Sequence, residues 1–386
     1  MVKYKTENLT MVVQFHLWAK LFYKMIKNSN LSFFRYSITF LISLSTIIFI
    51  FFFNNVFYKI QNIIYMTLSQ GYFEDLIEFF ATFLPIFISV IYFTHSERKV
   101  QAAIQRRRGP NVISFWGLLQ PFADGIKLLF KETIYPHQAG AFLFFAAPML
   151  TFGLSLVNWS VIPMSFNGPA SDPEFSLLVV YAVSSFGVYG IFLAGWASNS
   201  RYSFFGAIRA IIQLISYEIA MGFVYVILSI NLRTLRLSDL VIRQEEHWNI
   251  LPFFPLAFIY LVTMLAETNR APFDLPESEG ELVAGYNLEY TSFVFSLFFL
   301  GEYSNMLLMS AMISLLFLGG CLPLFLLVSD FSIFWFAFKI VFFAYLYILI
   351  RSVYPRLRYD QLMYLCWNIF LPYLLIELSF SLLLDH

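Results

Sequence analysis

Apolar segments of about twenty residues recur along this 386-residue chain. As an α-helix, a segment of that length crosses about 30 Å of hydrocarbon. Hydrophobic residues make up 59% of the chain and charged residues 12%, against about 25% charged residues in a soluble domain. Only helices or closed barrels cross a membrane, and these runs lack the alternation of barrel strands. The sequence therefore predicts an all-α, polytopic transmembrane helical bundle.

Nine membrane spans are predicted, the first of them an additional N-terminal helix. They cover residues 36–57, 76–95, 139–162, 175–197, 208–231, 250–268, 291–317, 331–351 and 361–383. Of the 24 Lys and Arg residues, nineteen then lie on the side of the N-terminus and four on the opposite side, while Lys339 lies inside a span. This asymmetry places the N-terminus at the positive-inside face, which is the cytoplasm or the matrix.

The first span divides the chain into an N-terminal extension, residues 1–75, and a membrane domain of eight spans, residues 76–386. The alternative for 36–57 is a cleaved targeting peptide. We favour a transmembrane helix, because removing this span would put six basic N-terminal residues on the wrong side of the membrane.

Several kinds of chemistry have no support in the sequence. The net charge of zero gives no hint of nucleic-acid binding. Cys321 and Cys366 are far apart and form no metal or iron–sulfur pattern, and the five histidines show no metal spacing. The chain has no glycine-rich dinucleotide motif and no phosphate-binding loop. We expect that it binds no redox cofactor itself and hydrolyses no nucleotide.

Residues 97–132 combine seven basic residues with many apolar ones. Such a segment is too charged to span the membrane and too apolar to leave it. This composition predicts amphipathic helices in the membrane interface. A simple anchor for anionic lipid is the alternative reading, although Glu97 and Asp124 are not needed for that role.

Two glutamates fall well inside predicted spans, Glu218 in the fifth and Glu302 in the seventh. Carboxylates at such depth usually face a bundle interior or water and have functional roles. The alternative is a structural hydrogen bond between helices. Glu377 lies near the end of its span, where its side chain can reach the interface.

Residues 267–290, ETNRAPFDLPESEGELVAGYNLEY, hold six carboxylates and one basic residue, Arg270. Pro272 and Pro276 predict a bend in this segment, with a helical turn from Glu277 onward. Glu277 and Glu281 would then share one helix face, where like charges repel. A solvated acidic loop is the alternative, which the interleaved apolar residues disfavour.

Several sequence blocks together resemble one family, that of subunit 1 of NADH dehydrogenase (respiratory complex I), called the H subunit in bacteria. The matching text is ERK…RRRGPN, GLLQPFADGIKLLFKE, GWASNSRYSFFGAIRA, ISYE, AETNRAPFDLPESEGELVAGYNLEY, FFLGEYSNM and YPRLRYDQLM. These blocks occur in family order from about residue 76 to 375, and long exact blocks such as AETNRAPFDLPE are highly specific.

The resemblance implies a membrane subunit of a proton-pumping NADH:ubiquinone oxidoreductase. In that family ubiquinone enters a tunnel from the bilayer, between transmembrane helices and an interfacial helix. The resemblance places the spans 76–95 and 291–317 beside the entrance and residues 97–132 at its floor. Residues of the tunnel would be Arg98, Arg107, Arg270, Phe273 and Arg351, with Glu97 and Asp124 in the interfacial part. Three adjacent arginines occur at 106–108, and Arg107 is the one assigned to the tunnel.

The resemblance also implies that carboxylates couple quinone reduction to proton movement. The proton-coupling residues would be Glu218, Glu267, Asp274, Glu277, Glu279, Glu281, Glu289 and Glu302. Their interactions would make them titrate as a group. Residues 1–75 have no counterpart in the family, so no role can be transferred to them.

By the same resemblance, ubiquinone is the substrate, while FMN and iron–sulfur clusters belong to partner subunits. The expected partners are the quinone-site and iron–sulfur subunits of the peripheral arm, small membrane subunits beside the antiporter-like subunits, and lipids. The expected location is the mitochondrial inner membrane or, alternatively, a bacterial inner membrane. Two other functions stay open, a quinone-free relative from membrane-bound hydrogenases and an independent ion transporter. A transporter would predict inverted repeats, and the sequence shows none.

Overall fold

The computed structural model describes residues 72–164, 168–275, 285–323 and 332–384, and the predicted span at 36–57 lies outside these residues. The helices are α1 Tyr72–Ile104, α2 Gln120–Phe130, α3 Ala141–Trp159, α4 Ser176–Ala197, α5 Arg201–Leu232, α6 Leu237–Ile242, α7 Phe254–Glu267, α8 Ser292–Phe317, α9 Ser332–Val353, α10 Tyr359–Tyr364 and α11 Leu371–Leu384. Short 3-10 turns lie at Phe115–Gly117 and Gly285–Asn287, and a π-helical segment, Leu365–Phe370, joins α10 to α11.

The eight spans predicted after residue 75 each coincide with a helix, which confirms the all-α membrane fold over the described residues. Within the described part of the chain, six helical stretches are long and apolar enough to cross a membrane: α3, α4, α5, α8, α9 and the continuous α10–α11. Helix α7 is apolar but shorter, with 14 residues. Helix α1 has 33 residues and runs beyond the predicted span 76–95.

Helices α5 and α8 form the centre of the bundle. Helix α5 packs against α4, α7 and α11, while α8 packs against α1, α3, α7 and α9. Their apolar stretches are 61% buried, against 28% for α3 and α4. The large core cluster therefore lies around α5, α7, α8 and α9, and outer helices leave wide apolar faces exposed.

The predicted interfacial segment has two helical parts joined by a loop. Residues 97–104 continue α1, and the amphipathic helix is the short α2, none of whose residues is buried. Phe122, Ile126 and Leu129 are exposed on α2. Helix α2 contacts both α1 and α8 and so bridges these two helices.

Lys339, the basic residue inside a predicted span, caps the end of α8. Its ammonium donates hydrogen bonds to the carbonyls of Leu318, Gly320 and Leu322 at 2.7–2.8 Å. The Trp248 ring lies 5.0 Å from Lys339 Nζ. These three carbonyls lie in the turn that follows α8, next to the helix end that carries negative partial charge. The buried ammonium of Lys339 is thus fully hydrogen-bonded by backbone oxygens.

Candidate functional site

A cluster of charged and phenolic groups joins α1, α8 and α9 near the C-terminal ends of α1 and α9. Glu97, buried on α1, accepts hydrogen bonds from Arg351 at the end of α9 and from Tyr303 on α8. Gln101 donates a third hydrogen bond at 3.2 Å. Two of these donors come from other helices, so the position of Glu97 depends on the packing of all three.

Arg270 links this cluster to a second carboxylate. Its guanidinium lies 4.6 Å from the centre of the Tyr303 ring, and Nη2 is 3.4 Å from Glu302 Oε2. Tyr286 donates a 2.6 Å hydrogen bond to Glu302 Oε1. Arg270 is buried, and a planar cation between an aromatic face and a carboxylate suits a site with little water. Glu97 and Glu302 are therefore joined through Tyr303 and Arg270.

Tyr286 reaches Glu302 because the chain at Gly285 passes very close to α5. A Cβ on Gly206 of α5 would lie 2.8 Å from the Gly285 backbone, so only glycine permits this approach. Ser203 of α5 donates a 3.0 Å hydrogen bond to the Tyr286 carbonyl. Gly285 itself has φ +61°, in the left-handed region that favours glycine.

A cavity of about 60 Å³, lined by both polar and apolar groups, lies between α3, α4, α5, α7 and α8. Its wall includes the two carboxylates Glu267 and Glu302, together with Ser184, Asn269 and Asn305. A space of this size is large enough to hold water. Glu267 Oε2 is buried without a hydrogen-bond partner among the described residues. Glu267 and Glu302 thus face the same cavity.

Glu218 lies on α5 beside this cavity and is 8% exposed. Ser185 of α4, next to the cavity residue Ser184, donates a hydrogen bond to Glu218 Oε1. Glu218 is close enough to Glu267 for the two carboxyl groups to interact electrostatically. Three glutamates on α5, α7 and α8 are thus grouped inside the bundle.

The loop Arg270–Leu275, which follows α7, is held by α5 and by the chain after α9. Gln213 of α5 donates hydrogen bonds to the carbonyls of Ala266 at 2.9 Å and Phe273 at 2.8 Å. The buried Phe273 ring lies 5.8 Å from the Tyr217 ring. Asp274 pairs with Arg356, with Oδ2 2.8 Å from Nη2. The predicted bend at Pro272 is therefore an ordered loop.

The predicted basic residues of the interfacial part lie nearer the surface. Arg98 is paired with Asp124 of α2 at 2.5 Å, and Gln120 donates to Asp124 at 3.1 Å. Arg107 is exposed and donates to Gln105 at 2.7 Å. The Arg98–Asp124 pair attaches α2 to α1, whereas Arg107 lies on the loop between them.

Glu289 is half-buried, next to Tyr290. The Tyr290 ring stacks on Phe144 at 4.1 Å, and burial raises the pKa of the Tyr290 phenol, which keeps it neutral. Three predicted coupling residues, Glu277, Glu279 and Glu281, lie outside the described residues. The predicted site residues therefore fall into an inner group around Glu302 and a more exposed group around α2.

Several contact residues were missed by sequence reasoning. They are Gln101, Ser185, Gln213, Tyr303 and Arg356. Tyr303 directly follows Glu302, and this adjacency was the one local signal of a role. No group of three or more His, Cys, Asp or Glu suited to a metal ion occurs within the described part of the chain.

Comparison with known proteins gives a consistent picture. A family model described as NADH dehydrogenase matches residues 77–382. The H subunit of NADH-quinone oxidoreductase from Paramagnetospirillum magneticum is 50% identical over 295 residues, which is 76% of this chain and 86% of that protein. NADH-ubiquinone oxidoreductase chain 1 of Arabidopsis thaliana is 49% identical over 302 residues, which is 76% of this chain and 92% of that protein.

A third relative, the H subunit of NADH-quinone oxidoreductase from Rickettsia prowazekii, is 50% identical over 299 residues, which is 76% of this chain and 88% of that protein. The relatives thus come from bacteria and plants, in agreement with the predicted multi-pass location in an inner membrane. The resemblance inferred from the motifs is confirmed. This chain belongs to the NADH dehydrogenase family, together with the bacterial H subunits and the plant chain 1 proteins of the NADH:quinone oxidoreductases.

Proposed function

We propose that this chain forms the quinone entrance tunnel of a proton-pumping NADH:ubiquinone oxidoreductase, at the junction with the peripheral arm. We also propose that it couples quinone reduction to proton translocation through its buried carboxylates. The observation that carries the proposal is the continuous connection from Arg351 through Glu97, Tyr303 and Arg270 to Glu302. Its inner end opens into the cavity that Glu302 shares with Glu267.

The tunnel part of the proposal rests on the position of α2, which contacts both α1 and α8. Apolar side chains of α2 are exposed there, whereas Arg98 and Asp124 lie at its contact with α1. A long apolar quinone tail would be accommodated by the apolar groups, and the polar head group would meet the charged ones. Arg270 and Phe273 are buried deeper and would line the inner tunnel, with Arg107 nearer its exposed end.

The coupling part follows from the chemistry of quinone reduction, which takes up two electrons and two protons. A change of charge at the tunnel can alter the carboxylates only if they interact differently with the two quinone states. Arg270 would pass such a difference to the carboxylates, because it contacts Glu302 directly and Glu97 through Tyr303. If the Arg270–Glu302 contact weakens, Glu302 could exchange a proton with water in the cavity.

From the cavity the proposed route continues to Glu267 and then to Glu218, whose carboxyl group faces Ser185 on α4. Interacting carboxyl groups titrate as a set, so one proton entering changes the affinity of the others. The remaining proposed coupling residues, Asp274, Glu277, Glu279, Glu281 and Glu289, belong to the segment between α7 and α8. In the proposal, quinone reduction changes the protonation of these residues in the loop.

The proposal also covers the substrate, the partner subunits and the domains of the chain. Ubiquinone is the substrate, FMN and iron–sulfur clusters belong to peripheral-arm partners, and small membrane subunits receive the protons from Glu218. Residues 76–386 form the membrane domain, and residues 1–75 add one helix that contacts another subunit or lipid. The names of the relatives, quinone and ubiquinone oxidoreductase subunits, favour this function over the hydrogenase and transporter alternatives.

The test compares Glu218→Gln with a matched control, Glu377→Gln on α11, in membranes holding the assembled enzyme. We expect Glu218→Gln to lower the rate of NADH:quinone reduction and its proton translocation. Electron transfer from NADH to an artificial acceptor should stay normal, because it bypasses the quinone site. Glu377→Gln should leave all three activities normal. Full proton-coupled quinone reduction in Glu218→Gln would refute the coupling role.

The tunnel is tested separately by photo-crosslinking with an azido-ubiquinone, followed by mapping of the labelled peptides. We expect labelling within residues 97–132 or 267–302, and excess quinone should compete it away. An active preparation without specific labelling there would contradict the tunnel and favour a quinone-free relative.

A further inference from the structure

The last membrane helix is irregular where it passes the middle of α5. Between α10 and α11, residues Leu365–Phe370 form a π-helical segment with i to i+5 hydrogen bonds. Pro372 follows in the first turn of α11 and has no N–H to donate to the carbonyl four residues earlier, at Asn368. A wider turn before the proline accommodates this loss. The irregularity therefore has a local cause in the sequence.

The π-helical segment brings two successive side chains against one residue of α5. Cys366 Sγ donates to the Ser216 carbonyl at 3.2 Å, and Trp367 Nε1 donates to Ser216 Oγ at 3.3 Å. Both contacts with Ser216 are made from within the π-helical segment.

One turn before Cys366, α10 contacts Tyr217, the residue that follows Ser216 in α5. Tyr217 donates a 3.1 Å hydrogen bond to the Leu362 carbonyl, and both residues are fully buried. Three hydrogen bonds between the two helices thus fix Ser216 and Tyr217. The next residue in α5 is Glu218, which is directed to Ser185 of α4.

We infer that Cys366 and Trp367 are positioning residues for Glu218, which act through Ser216. The π-helical segment fixes the rotation of α5 at this turn, and that rotation sets the distance from Glu218 to Ser185 and to the Glu267 side of the cavity. This inference rests on the proposed proton-coupling function of Glu218. By this inference the last helix contributes to coupling, although none of its carboxylates belongs to the proposed route.

The first test uses Trp367→Phe, which keeps an aromatic ring but removes the indole N–H. Ser216→Ala removes the same hydrogen bond from the α5 side and should reproduce the effect. Trp335→Phe on α9 is the control, since its indole N–H has no acceptor among the described residues. We expect proton-coupled quinone reduction, and protons moved per electron, to fall by about threefold in the first two variants. Electron transfer to an artificial acceptor should be normal in all three.

A double-mutant cycle separates positioning of Glu218 from a general structural defect. If Trp367 acts through Glu218, then Trp367→Phe should cause no further loss in a Glu218→Gln background. An equal loss in both backgrounds would overturn the inference, as would Trp367→Phe and Ser216→Ala matching the Trp335→Phe control. Normal coupling in Glu218→Gln alone would instead refute the proposed function on which the inference rests.

Discussion

Arg351, in the last turn of α9, donates a hydrogen bond to Glu97 on α1, and the two residues are 254 positions apart. Glu97 is buried, while the Arg351 side chain remains one-third exposed. The pair joins α1 to the last turn of α9, next to the Arg98–Asp124 contact between α1 and α2. It is a structural connection, and it is the end of the proposed route that lies farthest from Glu302.

Arg351→Gln should destabilise the assembled enzyme, because it leaves a buried carboxylate without its cation. We expect a loss of about 2 kcal/mol, below the value for fully buried pairs since Arg351 is partly hydrated. The second change Glu97→Gln should restore part of this stability. The measurement is the temperature at which half the quinone reductase activity is lost. Arg358→Gln, which breaks a fully exposed pair with Asp360, is the control and should change little.

Tyr286→Phe should impair coupling by removing the 2.6 Å hydrogen bond to Glu302. A hydrogen bond to a charged group contributes about 1.5–3 kcal/mol, so we expect the quinone reductase rate to fall by about tenfold or more. Tyr290→Phe is the control, because its hydroxyl is 3.5 Å from the Ala194 carbonyl and makes a weaker contact. Equal rates for the two variants would show that Glu302 does not need Tyr286.

Gly206→Ala should reduce the amount of assembled enzyme. The added Cβ would lie 2.8 Å from the Gly285 backbone, which cannot move without displacing Tyr286. Gly153→Ala on α3 is the control, since a Cβ there meets nothing within 4 Å. Assembly is measured as NADH oxidation by an artificial acceptor per unit of membrane protein. A normal level in Gly206→Ala would contradict the close approach of α5 and Gly285.

Lys339→Met should destabilise the outer end of α8, because three backbone carbonyls lose their donor. Each buried group left without a partner costs about 1–3 kcal/mol. We expect a clearly lower temperature of inactivation, together with faster proteolysis of the loop after α8. Lys127→Met, on the exposed helix α2, removes a cation without such contacts and should be close to wild type.

The approximate bounds of the membrane helices could be predicted from the sequence because they depend on local properties. An apolar run of sufficient length forms a helix in lipid. The direction of the helices, which the excess of Lys and Arg on one side indicates, and the depth of Glu218 and Glu302 in the membrane stay predictions. The extension of α1 to Ile104 and the π-helical segment were not predicted, since both depend on neighbouring helices or on hydrogen bonding near Pro372.

The sequence by itself determined that buried carboxylates and arginines are present, and the motifs determined the family. Only the tertiary structure decided which of them meet. Arg351 pairs with Glu97, Arg356 with Asp274 and Arg270 with Glu302. Such pairs join residues that are 32 to 254 positions apart. Hydropathy indicates which residues of each helix lie within the membrane. It does not indicate which helices pack beside it or how it is rotated about its own axis. Those are set by side-chain packing between helices.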